Sequence, residues 1–422
     1  MDWAAEPLYA LSPDIAYNNK IGDITVFTNI NVHTRKFILS TALLLVSASA
    51  FAQFGSPPLG EGPFDIRTYQ ANVRVSVLAR GIAHPWAVAF LPNGDMLVSE
   101  REGQLRLIHN GELQAEPVAG MPEVYQLRLL GFMEVLPHPE FAQNNYLYLT
   151  YHKLVTEEPR EVTFVLARAH YADGRLSDLE ELLTTDTWNG DGGAAARLAF
   201  GEDGKLYMSV GATRDQSAQD PASLRGKILR LNDDGSAPSD NPFVGREGYR
   251  PEIYTMGHRN PAGLAFNPNT GELWASEYGP NGGDELNIIR AGQNYGWPLV
   301  SYGRDYPGPF ISPVPWMEGM TMPVATFIPG ISPSGLAFYT GEDFPTWTTS
   351  AFVGASRVGQ VPGTGRMVRL FFDENGNERS REDLFTELGQ RIRDIKMGPD
   401  GLMYLLTEEQ DGALLVLSKV PD

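Results

Sequence analysis

The sequence predicts an all-β chain, a six-bladed β-propeller of four-stranded antiparallel blades, and three observations lead there. A short apolar strand, a turn of Pro, Asp, Asn or Gly, and a second apolar strand recur six times. No long stretch carries apolar residues at helical spacing. The chain's 422 residues include 44 glycines and 31 prolines, enough for many turns. One such hairpin cannot bury its apolar face alone, whereas sheets stacked radially cover one another and leave only short edges. The copies lie too far apart for the strand rhythm of about 8–12 residues that marks a β-sandwich.

In chain order the copies are Trp86–Ser99, Leu130–Pro139 with Tyr146–Thr150, Arg197–Ser209, Gly263–Pro268 with Leu273–Ser276, Gly335–Tyr339 with Ala351–Gly354, and Ile395–Leu406. Pro92-Asn-Gly-Asp closes the first, Gly201-Glu-Asp-Gly the third and Gly398-Pro-Asp-Gly the sixth. Each supplies the Asn-Gly or Asp-Gly pair that a tight hairpin turn favours.

The N-terminus reads as targeting information. Arg35 and Lys36 precede the apolar run Phe37–Val46, and Ala50-Phe-Ala52 provides small residues for cleavage before Gln53. The run is too short for a bilayer, which needs about 20 apolar residues. The expected organisation is an extension over 1–31 from a start site read too early and a signal peptide over 32–52. A linker over 53–75 and a single propeller over 76–422 follow. Export to the periplasm or the exterior is implied.

The formal net charge of −19 argues against nucleic acid and anionic membrane surfaces, which require a basic patch. Small neutral ligands remain. With no cysteine, thiolate nucleophiles, zinc-thiolate sites and iron-sulfur clusters are excluded. No two histidines stand at a metal-ligand spacing.

Chemistry in a propeller belongs on the loops where the blades converge. Gly257-His-Arg-Asn-Pro-Ala-Gly263 puts the Arg259 guanidinium and the Asn260 carboxamide before an expected first strand, and also reads as a turn with a solvated arginine. In Gln390-Arg-Ile-Arg-Asp394, Arg391 and Arg393 share a strand face, which calls for a neighbouring anion. That anion is either a bound carboxylate or phosphate, or one of the chain's own acids such as Asp394. Ser276–Asn287 contains Gly279-Pro-Asn-Gly-Gly283, whose free carbonyl oxygens suit a hard cation such as Ca²⁺. Asp284 and Glu285 either add charge there or cap the turn.

Together with Gly292-Gln-Asn-Tyr-Gly-Trp-Pro298, these segments resemble the soluble quinoprotein glucose/sorbosone dehydrogenases, the aldose sugar dehydrogenases that use pyrroloquinoline quinone (PQQ). The resemblance runs from about His84 to Leu417. It implies a six-bladed propeller, a PQQ cofactor and Ca²⁺, a sugar or alcohol substrate and an external electron acceptor. It places Arg259, Asn260, Arg391 and Arg393 at the cofactor, with Arg357 where a lysine is usual. The Gly279 and Pro280 carbonyls are implied at Ca²⁺ and Gln126 at the sugar.

In that family a histidine, oriented by an aspartate, removes the C1 hydroxyl proton while hydride passes to the quinone. Here counting back from Arg197 puts Gly193 at the histidine, and Ala212 falls at the aspartate. Ala262 replaces a glutamine. Asp191, in the same loop as Gly193, is the candidate substitute base, and otherwise an ordinary turn residue. Three readings therefore stand: a PQQ-dependent sugar or alcohol dehydrogenase with an altered base, a propeller kept as a binding or sensing module, and a Ca²⁺-dependent lactonase-like hydrolase.

Overall fold

The computed structural model describes residues 55–306, 308–373 and 376–421, so the expected extension over 1–31 and signal peptide over 32–52 lie outside the described residues. Two strands open the described chain, β1 (Phe64–Arg67) and β2 (Asn72–Ile82). The first blade is β3 (Pro85–Phe90), β4 (Met96–Glu100), β5 (Gln104–His109) and β6 (Glu112–Leu113). The second is β7 (Phe132–Pro137), the four-residue helix α1 (Phe141–Asn144), β8 (Tyr146–Thr156), β9 (Glu161–Ala172) and β10 (Arg175–Thr184).

Blade three is β11 (Leu198–Phe200), β12 (Leu206–Val210), β13 (Lys227–Leu231) and β14 (Ile253–Met256); blade four is β15 (Pro261–Phe266), β16 (Leu273–Glu277), β17 (Asp284–Ile289) and β18 (Ala325–Phe327). Blade five is β19 (Pro333–Phe338), β20 (Ser350–Ala355), β21 (Arg366–Phe372) and β22 (Glu378–Leu384). The last blade contains β23 (Ile392–Met397), β24 (Met403–Thr407) and β25 (Gly412–Lys419).

That last blade closes the ring. β2 pairs antiparallel with β25 from Val73↔Lys419 to Ile82↔Gly412, and β1 adds a fifth strand outside it. Six antiparallel blades therefore form, as the repeats predict. Within the stretch 53–75 expected to be a linker, β1 and the start of β2 are strand, and β2 covers the edge that β25 would otherwise leave open.

The first strands of neighbouring blades touch in sequence around the ring, so they line the central channel. Second strands are covered on both faces: β4, β12, β16, β20 and β24 are buried along their whole length. Apolar clusters such as Trp86, Met133, Phe164, Leu198 and Met208 fill the gaps between blades.

Polar groups link the blades more specifically. Ser209 on β12 accepts the Arg197 N–H at 2.9 Å and donates across to the Pro261 carbonyl at 2.9 Å. Ser99 on β4 and Thr150 on β8 do the same, donating at 2.6 Å to the carbonyls of Met133 and Ala196. Ser276 on β16 reaches the Ser334 carbonyl at 2.7 Å. At the matching position of blade five stands Gly354, and the Ser334 hydroxyl, bonded to the Ile392 carbonyl, occupies the space its side chain would take. These hydroxyls are the Ser or Thr that ends four of the six sequence repeats, so a feature of the repeat becomes a blade-to-blade bond.

In the channel lies Arg197, 2% exposed, just before β11. Its guanidinium pairs with Glu134 of β7 at 3.2 Å and Asp394 of β23 at 3.1 Å. It also donates to the Ala262 carbonyl at 2.7 Å and the Arg393 carbonyl at 3.0 Å. Removing one member of a buried ionic cluster leaves uncompensated charge, a loss of about 3–5 kcal/mol. Arg197→Met is therefore expected to lower the unfolding free energy by about that amount in urea titrations. A change below about 0.5 kcal/mol, the size of an ordinary surface substitution, would show that the cluster does not tie the blades together.

Candidate functional site

In an up-and-down blade, the loop entering the first strand and the loop leaving the second lie at the same end. That rule gathers the sequence's candidates onto one face. Arg128, Gly193, Arg259, Asn260 and Arg391 stand in entering loops; Arg101, Ala212, Tyr278–Pro280, Arg357 and Glu408 stand in leaving loops.

Arg391 and Arg393 do share an anion, and it is a carboxylate of the chain itself. Glu408, 4% exposed at the end of β24, accepts Arg391 Nε at 3.1 Å and Nη2 at 2.9 Å, and pairs directly with Arg393. Arg101 Nη1 approaches its other oxygen at 3.4 Å. Burial alone would raise the Glu408 carboxyl, but the Arg393 and Arg391 guanidiniums outweigh it and hold it at about 2. Arg391 keeps two fifths of its side chain exposed. Arg393 is buried against the Trp86 ring, 4.4 Å from its centroid.

Tyr278 joins these groups to Arg259. Its hydroxyl accepts Arg393 Nη1 at 3.3 Å, while its carbonyl and that of Gly279 take Arg259 Nη1 at 3.1 and 3.0 Å. The Arg259 guanidinium also faces the Trp297 ring at 5.3 Å. Arg357 is half-buried, and its guanidinium has no hydrogen-bond or ion-pair partner among the described residues. It and Arg259 both act on the Tyr306 hydroxyl, offsetting the upward push of burial. A chain of groups from Arg357 through Tyr306, Arg259, Tyr278 and Arg393 to Arg391 thus crosses the face.

The Gly279–Gly283 loop is held from beneath. Asp284 accepts the N–H groups of Gly279 at 2.7 Å, Ile331 at 2.6 Å and Ser332 at 2.8 Å. Burial still pushes its carboxyl up to about 6. Burial raises Glu285 as well, helped by the Glu277 carboxylate. Asp284 is therefore a brace for the loop. The Pro280 carbonyl receives no hydrogen bond from the described residues, whereas that of Gly279 is engaged by Arg259.

A profile of the glucose/sorbosone dehydrogenase family matches residues 82–416. The chain belongs to that family. It is 38% identical over 365 residues to the aldose sugar dehydrogenase YliI of Escherichia coli K12, covering 82% of this chain and 93% of the relative. A crystal structure of a glucose dehydrogenase superposes with a TM-score of 0.77 at 37% identity, covering 82% of this chain and 99% of the other. The PQQ-bound form of an aldose sugar dehydrogenase from Streptomyces coelicolor does so at 0.65 and 26%, over 82% and 98%.

Gly193 and Ala212, the positions at which the resemblance implies a histidine and an aspartate, touch one another. Gly193 has φ near +60°, and a Cβ built on it would stand 2.7 Å from the Ala212 carbonyl carbon. The two positions that the resemblance pairs as histidine and aspartate are thus adjacent in space, and both lack a functional side chain. A histidine at 193 would need a backbone shift. Asn260 turns its side-chain oxygen to the Ala195 N–H at 2.8 Å, fixing this loop. Ala262 is fully buried, and its carbonyl is the one that takes Arg197.

Asp191 is solvent-exposed, 3.4 Å from both Arg128 and Arg160. Gln126 is exposed two residues from Arg128, so Gln126 and Asp191 come to the same rim. Sequence reasoning passed over Tyr278, Glu408 and Arg101. Tyr278 stands inside a motif already singled out, and Glu408 directly follows the second strand of the last repeat.

A carboxyl depressed in the folded state contributes stability that is full above its unfolded value of about 4.5 and is lost as pH falls through about 2. Glu408→Gln is therefore expected to be less stable than the native protein at neutral pH. The gap should close between about pH 4.5 and about pH 2 in urea unfolding. A gap independent of pH would contradict the role given to this carboxylate.

Proposed function

We propose that the protein is an exported PQQ-dependent oxidoreductase that oxidises an aldose or a related sugar or alcohol and passes electrons to an external acceptor. The observation that carries this reading is the assembly of Arg259, Arg357, Arg391 and Arg393 on one face, with the Arg357 guanidinium unpaired and Arg391 open to solvent. Such a set fits a planar polycarboxylate, since guanidinium forks match carboxylate geometry. Arg357, Arg391 and Arg393 would hold its carboxylates, and Arg259 with Asn260 its quinone edge. The Pro280 carbonyl, beside that of Gly279, would hold Ca²⁺.

Pyrroloquinoline quinone, when bound with Ca²⁺, supplies a two-electron acceptor for hydride. The chain's own part is to seat the sugar, with Gln126 at the rim, and to take the hydroxyl proton. Asp191 is the carboxylate nearest that task, its charge supported by Arg128 and Arg160 at 3.4 Å. Loss of a general base typically costs about 10²–10⁴-fold, so turnover is expected to be slow compared with a family member that keeps its histidine.

Gly193 and Ala212 favour one competing reading, a propeller that keeps the anion face and only binds or senses. The lactonase-like hydrolase fares worse. Its Ca²⁺ wants free carboxylates in the channel, and there Glu134, Asp394 and Glu408 are tied to Arg197, Arg393 and Arg391.

Purified protein mixed with Ca²⁺ and PQQ is expected to take up the cofactor saturably and to bleach it when aldoses are added, followed by absorbance. Uptake without sugar-dependent reduction supports the binding module, and no uptake rejects both readings. Arg357→Ala is expected to weaken uptake roughly tenfold or more, the worth of one charge-assisted contact of about 1.4 kcal/mol.

A further inference from the structure

Beside the face just described, a cleft of about 710 Å³ runs along the junction of the last and first blades. Arg80, Arg101, Arg128 and Arg391 line it, with His84 and the exposed Leu129, and the proline arm 55–59 forms its outer wall. Arg259, Arg357 and Arg393 do not line it, so it is contiguous with the proposed cofactor face through Arg391 without being the same place.

Four guanidiniums in one cleft of a chain whose net charge is −19 call for an explanation. Three acids share the lining. Glu408 is saturated by Arg391, Arg393 and Arg101. Glu409 accepts the Arg391 N–H at 2.9 Å, and Asp411 lies exposed at the rim. Arg128 meets the half-exposed Asp191 at 3.4 Å, so among the four it is Arg80 that meets no carboxylate among the described residues. Arg80 bonds only to carbonyls, those of Leu59 at 3.2 Å and of Gly60, which tether the proline arm. Arg101 is 8% exposed, and its buried Nε has no partner.

Arg128 is the most telling of the four. It occupies the left-handed region with φ near +56°, in a tight turn closed by Leu130 N–H to the Leu127 carbonyl at 2.9 Å. A turn with positive φ at its first central residue favours glycine, because any Cβ there is strained. Its side chain is three-quarters exposed and, among the described residues, reaches only Asp191, at 3.4 Å. A strained residue whose side chain stabilises nothing buried points to function and away from folding.

We propose that this cleft is an oxyanion subsite that selects a sugar bearing a carboxylate or phosphate, held by Arg128 and Arg101, with the ring directed toward Arg391. Naming the anion as part of a substrate rests on the dehydrogenase reading. Binding of the anion does not.

The test is calorimetric titration of the full chain, without added cofactor, using glucuronate, glucose 6-phosphate and glucose in parallel. At least one anionic sugar is expected to bind tenfold or more tightly than glucose, with the preference shrinking as salt is raised. The two anionic arms tell carboxylate from phosphate. Arg128→Gly is expected to abolish the preference while raising the melting temperature, since the turn relaxes. Equal affinity for all three sugars overturns the proposal, as does an Arg128→Gly protein that keeps the preference or melts lower. Competition between Ca²⁺-PQQ and glucose 6-phosphate overturns it too, since the cleft would then be only the cofactor's own seat. Anion preference without cofactor uptake keeps the subsite and removes the dehydrogenase reading; uptake without preference does the reverse.

Discussion

Closing six blades around an axis leaves a channel walled by the polar edges of six first strands, and Arg197 is the cation that meets the carboxylates buried there. Its guanidinium reaches Glu134, Asp394 and the carbonyls of Ala262 and Arg393, so one side chain ties together strands from four blades. A buried pair of carboxylates facing each other would repel, and the arginine between them turns repulsion into cohesion. The Ser and Thr hydroxyls extend the principle outward. Ser99, Thr150 and Ser209 each satisfy an N–H of their own blade and a carbonyl of the next, and Ser276 reaches the next blade's carbonyl.

The candidate site rests on this scaffold and inherits its logic. Arg393 gives its carbonyl to Arg197 and its side chain to Glu408 and Tyr278, so the channel ion cluster and the functional face share one residue. The site's positive charges are accordingly of two kinds. Arg393 is buried and compensated and sets the position of its neighbours. The Arg357 guanidinium has no hydrogen-bond or ion-pair partner among the described residues, and Arg391 and Arg128, though each meets a carboxylate, stay exposed.

Gly193 and Ala212 meet backbone to backbone where two functional side chains are implied by the resemblance, and Asn260 locks the loop in place. The result is a rim whose nearest carboxylate, Asp191, is steered by arginines outside the channel.

Much of this was legible in the chain alone. A hairpin repeated six times has to be covered by its neighbours, which leaves a radial stack as the economical solution, and Arg391 and Arg393 two apart on a strand had to face one anion. The sequence could not say that the anion is Glu408, because a carboxylate one strand away is as good a partner as a ligand and only the register of β23 against β24 brings it there. Nor could it say that 64–67 and 72–75 are strand, since the need for β1 and β2 arises from the open edge of β25 at the far end of the chain. The repeats by themselves determined the ring. Tertiary structure alone decided which charges cancel across blades and which stay open, because that depends on distances between residues hundreds of positions apart.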